Sequence, residues 1–159
     1  MVDINLLIER WQSHGITCPS GVTIADLEAF ERRHDVVLPP DMRTYFLTVN
    51  GMGERGTCDD DFFSFWPLQE LITIADDLPD RSSGFPDASK CFMFADHSIA
   101  LPTFAIRLSS DPNVSTPVAS VFADFGAFKV QYFFDSFTDF VNQYLADPIE
   151  TSCVLPDDV

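Results

Sequence analysis

The stretch VVLPPDMRTYFLTVNG, residues 36–51, decides the fold. Two prolines stand near its start and an Asn-Gly pair closes it. Pro40 suits the first turn of a helix, where a missing N–H removes no hydrogen bond. Met42, Tyr45, Phe46 and Val49 then recur at i, i+3, i+4 and i+7, the spacing of one helical face. Asn50 and Gly51 tolerate the left-handed conformation that ends helices. The segment therefore reads as a corner of a fold and not as a catalytic site. The chain arrives through Leu38-Pro39, buries one short helix, and turns towards a sheet.

Upstream, Ile4, Leu7, Ile8 and Trp11 repeat the helical spacing, and Gly15 marks a stop. Thr23 and Asp26 form a capping-box pair, and Val22 is placed to staple onto Leu27. Leu27 and Phe30 give this second helix its buried face. Arg32, Arg33 and His34 fall in its last turn, where cations oppose the helix dipole.

Downstream the pattern changes. MGERGTCDDD, residues 52–61, is a polar loop. FFSFW, residues 62–66, predicts a strand, with Phe63 and Phe65 on one face and Phe62, Ser64 and Trp66 on the other. Residues 67–80 fit either a helical turn or a connector. KCFMFAD, LPTFAIRL, TPVASVFAD and FKVQYFF predict four more strands. Their short spacing requires antiparallel pairing, because parallel strands need long crossovers. Ser136 and Asp139 then cap a closing helix whose apolar face is Phe137, Phe140, Val141, Tyr144 and Leu145. Helices, strands and a final helix in that order give an α+β fold: one domain over residues 1–150, with N-terminal helices and a C-terminal helix packed on a central antiparallel sheet. Residues 151–159 lack periodicity and are expected to be a loosely held tail.

The composition sets the function classes. Of 159 residues, 46% are hydrophobic and 16 are phenylalanine, so the chain can bury a core and disorder is a poor reading. Its 25 acids face 9 bases, for a net charge of −16. Nucleic acid and anionic membrane surfaces would be repelled. A basic protein partner would be attracted, with association accelerated by about 10 to 1000-fold at low salt. The first eleven residues lack the basic start and unbroken apolar run of an export signal, and no stretch approaches a membrane span. A cytoplasmic location and four free cysteines, Cys18, Cys58, Cys91 and Cys153, are the corresponding expectations.

Catalytic patterns are weak throughout. Cys91 and His97 would lie about 20 Å apart on one extended strand, so a buried structural cysteine is the better reading. His14, His34 and His97 are scattered, and Asp59-Asp60-Asp61 lacks the ligand spacing of a calcium loop. Asp124-Phe125-Gly126 matches a kinase triplet, but none of its companion motifs is present, and a turn is simpler. No catalytic residue, cofactor or metal is expected.

GVTIADLEAFERRHDVVLPPDMRTYFLTVNG, residues 21–51, resembles the signature of the SUKH superfamily. The resemblance rests on Phe30-Glu31, Leu38-Pro39, Asp41, Tyr45-Phe46 and Asn50-Gly51. FSFWPLQEL and SFTDFVNQYL extend it, so that it spans residues 21–146. It implies an α+β fold and a non-catalytic interaction protein: an immunity protein that covers the active site of a toxin, such as a nuclease or deaminase. The alternative it offers is a regulatory or scaffold module with an endogenous partner. A small hydrolase with an unrecognised acidic site is the remaining reading. For an inhibitor that mimics nucleic acid, the candidate contacts are Glu54, Asp59, Asp60 and Asp61 in one loop and Asp76, Asp77 and Asp80 in another. Each also reads as an ordinary solvated acid. Trp66 and Phe85 are candidate aromatic anchors, although core is the better reading of Trp66.

Overall fold

The computed structural model describes residues 1–124 and 126–158. Helices α1 (Ile4–Ser13), α2 (Ile24–His34) and α3 (Pro40–Thr48) come first. Asp3 caps α1 through its carboxylate. Thr23 and Asp26 form both halves of the capping box on α2. Strands β1 (Phe63–Phe65) and β2 (Ile72–Thr73) come next, then the short helix α4 (Ile74–Asp77) and strands β3 (Cys91–His97), β4 (Thr103–Arg107), β5 (Val118–Asp124) and β6 (Ala127–Phe134). Helices α5 (Phe137–Ala146) and α6 (Pro148–Ser152) close the chain. Of the Asp124-Phe125-Gly126 turn, Phe125 lies outside the described residues; Asp124 pairs with Ala127 across the β5–β6 hairpin.

The sheet is antiparallel throughout, in the order β1-β3-β4-β5-β6, with β2 paired to β3 beside β1. Thus β1 occupies Ala95–His97 of β3 and β2 occupies Phe92–Met93. The helices cover one face. Phe140 of α5 meets Phe65, Phe94, Phe104 and Phe134, and Tyr144 meets Phe63 and Phe65. Tyr45 of α3 packs on Trp11 and Phe137, tying α1, α3 and α5 into one core. Phe63, Phe65, Phe94, Phe104, Phe134, Phe137 and Phe140 thus form an aromatic layer between helices and sheet, where each buried ring removes a large apolar area from water.

Three local expectations are refined. The third helix ends at Thr48, and Val49, expected on its face, is extended and bridges Ser20, although it remains buried. The Asn50 side-chain Oδ1 accepts the Leu68 N–H at 2.7 Å, and its Nδ2 donates to Gln69 Oε1. Gly51 then turns at φ +61°, against the backbones of Phe65 and Trp66. Residues 67–80 resolve into a 3-10 turn over Leu68–Glu70, β2 and α4. The tail is partly tied down: Thr151 is buried, and the Asp157 N–H donates to Gln131. Val159 lies outside the described residues.

His34 ends α2 with its ring against Phe30 and Phe92, at 4.6 and 5.1 Å. Burial, assisted by Arg33, holds its pKa below the ordinary histidine value, while Asp76 pulls the other way. Between the folded and unfolded pKa values the unfolded chain binds more protons, so stability rises with pH there. The contribution is complete above the ordinary value and is lost as pH falls through the folded one. Urea unfolding at about pH 5.5 and about pH 7.5 should show lower stability at the acid end. His34→Gln should flatten that slope.

Candidate partner-binding site

The structure separates the candidate acids into structural and exposed groups. Asp59 is not a surface acid: it is 3% exposed. Its Oδ1 accepts the N–H groups of Asp61 and Phe63, each at 2.9 Å, and its Oδ2 accepts the Tyr144 hydroxyl. Burial, then the neighbouring Asp59, push the Tyr144 phenol well above its usual pKa, so it remains a donor. Arg10 donates to Asp61, lies 3.9 Å from Asp59, and donates to the Tyr144 oxygen at 3.1 Å. A run of three aspartates read from sequence as a solvated loop is thus half internal, because a long-range arginine and tyrosine satisfy it.

His14, Asp59 and Asp61 converge within 4.8 Å, close enough in principle for a cation. The Arg10 guanidinium already supplies the positive charge there, and the Asp60 N–H donates to His14 Nδ1 at 3.0 Å.

Trp66 is core, at 1% exposed. Its Nε1–H donates to Asp96 at 2.9 Å and the Arg55 guanidinium lies over its ring at 4.0 Å. Phe85 is half-buried, packed against the core. Glu54, Asp60, Asp76, Asp77 and Asp80 are exposed. They form two groups. Glu54 and Asp60 precede β1 at the His97 end of β3, whereas Asp76 and Asp77 come after β2 at the Phe92 end. The strand between those ends spans about 16 Å, so the two groups flank one sheet edge and do not merge.

The chemistry available elsewhere is that of structural groups. Cys91 and His97 stand at opposite ends of β3. Burial pushes the Cys91 thiol up to about 11, leaving little thiolate at neutral pH. The thiol contacts the Tyr132 oxygen at 3.4 Å, and that hydroxyl donates to Asp87 at 2.8 Å.

Sequence reasoning passed over two exposed apolar residues beside the first acidic loop. Phe62 is 61% exposed and Ile99 is 94% exposed. The alternation at residues 62–66 separated Phe62 from the core face, but no pattern indicated Ile99.

Together these features define an acidic, single-domain α+β protein with three N-terminal helices, one antiparallel sheet and a closing helix pair. It belongs to the SMI1 / KNR4 family (SUKH-1), whose model matches residues 21–143. Membership brings a general role in protein–protein interaction. Curated proteins offer no match to the chain. No helix among the described residues is long and apolar enough to cross a membrane.

Proposed function

We propose that the chain is an immunity protein: it binds a basic toxin domain, a nuclease or deaminase, and covers the active site without catalysing a reaction. The observation that carries this reading is the net charge of −16 on a member of this family. An enzyme that acts on nucleic acid holds phosphates in a basic groove. Exposed acids on two loops flanking one edge supply a complementary surface, and electrostatic steering makes such association fast.

Co-expression with any toxin domain that a neighbouring gene encodes tests the reading. Cells carrying both should survive, and death despite soluble expression of this chain overturns the proposal. Binding should weaken as salt rises. Asp76→Asn, Asp77→Asn and Asp80→Asn should each lower affinity by less than about 1 kcal/mol, in additive steps, as rim charges do. Affinity that is indifferent to salt would remove charge steering from the account.

A further inference from the structure

On the sheet face opposite the helices, β1 and β3 border a cavity of about 370 Å³. Ser64 and Asp96 oppose each other directly across these strands, so their side chains share this face. Both line the cavity. Ser64 is 3% exposed and its Oγ has no hydrogen-bond partner. A buried hydroxyl left unpaired is uncommon and costly. Asp96 accepts the Trp66 indole N–H and the Ala100 backbone N–H. Burial pushes its carboxyl above the ordinary value, against both of those bonds and the nearby Arg55. Arg55 forms one wall, stacked on Trp66.

The rim is apolar and strained. Phe62 has φ +66°, and Ile99 has φ +61° between Ser98 at +48° and Ala100 at +65°. Left-handed backbone is unfavourable for bulky and β-branched residues. Here it holds two large apolar side chains out in water at a cavity that Ser64 and Asp96 also line. Backbone strain of this kind clusters at ligand clamps and other functional sites, and a ring of contacts that excludes water is what surrounds the anchors of an interface.

We infer that this cavity is where a basic protein partner inserts an arginine. Its guanidinium donates to Asp96 and Ser64, while Phe62 and Ile99 pack around its stem and exclude water. Charge favours a basic occupant: Arg55, held against the Trp66 ring in the wall, offsets part of the Asp96 charge, but the chain as a whole carries −16, and the exposed acids Glu54 and Asp60 lie in the loop that leads into Phe62. Two acceptors on neighbouring strands suit the planar fork of arginine better than the point charge of lysine. The proposal rests on the toxin-binding reading for the partner's identity alone.

Two measurements test it. In the first, Phe62→Asn with Ile99→Asn is bound to the toxin domain. Asparagine tolerates left-handed backbone, so the melting temperature should hold while affinity falls about 30-fold or more. Wild-type affinity at an unchanged melting temperature overturns the site, even if co-expression still rescues cells. The second uses acetyl-Leu-Arg-Leu-amide, titrated into the ¹⁵N-labelled protein. Amide shifts should concentrate at Ser64, Asp96 and Ala100, be smaller with the Leu-Lys-Leu peptide, and vanish in Asp96→Asn. Absent or dispersed shifts overturn the site. Failure of rescue alongside this localised response would remove the immunity reading and leave the arginine site standing.

Discussion

Replacing Asp59 with alanine is expected to lower the stability of the domain by about 3–5 kcal/mol, the cost of removing one partner from a buried charge network. The carboxylate accepts three hydrogen bonds, one of them from a residue far away in the chain. Without it, the Asp61 and Phe63 amides lose an acceptor, Tyr144 loses the group its hydroxyl serves, and Arg10 keeps only Asp61 and the phenol oxygen. Each buried donor left unpaired costs about 1–3 kcal/mol. Asp61→Asn is the control: its side chain is partly exposed and supports only one end of Arg10, so a loss of about 1 kcal/mol or less is expected. Asp59→Asn should fall between the two, keeping Oδ1 for the amides while placing N–H groups towards Tyr144. Urea unfolding measures all three. A loss from Asp59→Ala as small as that from Asp61→Asn would show that the network does not organise the loop.

The same network bears on function. The Asp59 carbonyl accepts the Phe62 N–H at 3.0 Å, and the Asp59 N–H donates to the Phe63 carbonyl at 2.9 Å. This closed turn fixes Phe62 in its left-handed conformation. Partner affinity should therefore fall in Asp59→Asn even where the protein remains folded.

Much of the fold was legible because its signals are local. The Thr23–Asp26 capping box, the Met42–Tyr45–Phe46 stripe and the Ser136 cap each lie within one or two helical turns, and each appears where the spacing put it. The four late strands were readable as short apolar runs too close together for parallel crossovers. What resisted reading depends on distant partners or on backbone angles. Asp59 and Tyr144 are separated by 85 positions, so three adjacent aspartates looked alike although one is internal. Trp66 suited a surface anchor by type, yet Asp96 and Arg55 complete its buried environment. Ile99 sits in a connection with no periodicity, and its exposure arises from three successive positive φ angles. The candidate acids were thus visible as charge, while the apolar rim and the cavity beside Ser64 and Asp96 needed the fold.

Gly21→Ala is expected to be the most damaging single-methyl change in the chain, at more than about 4 kcal/mol, the range reserved for gross steric or polar defects. The reason is close approach of two backbones. A Cβ at position 21 would stand well inside contact distance of the Leu47 carbonyl group and 2.8 Å from the Thr48 nitrogen. None of these is a flexible side chain that can rotate away. The neighbouring bonds show why the segment cannot simply retreat. The Val22 N–H donates to the Phe46 carbonyl at 2.8 Å, satisfying one of the orphan acceptors at the end of α3. Ser20 bridges Val49 on the other side. Moving the segment outward breaks these links and shifts the start of α2, whose Leu27 and Phe30 are buried. Gly84 supplies the control, since a methyl there meets nothing within 4 Å; Gly84→Ala should change stability by no more than about 0.5 kcal/mol, as for an ordinary surface substitution. Urea unfolding ranks the two, and hydrogen exchange at Val22 locates the damage: its amide should lose protection in Gly21→Ala before those of β3 and β4. Equal stability for the two alanine variants would mean that residues 20–22 do not lie against the end of α3, and the corner that defines this fold would have to be rebuilt.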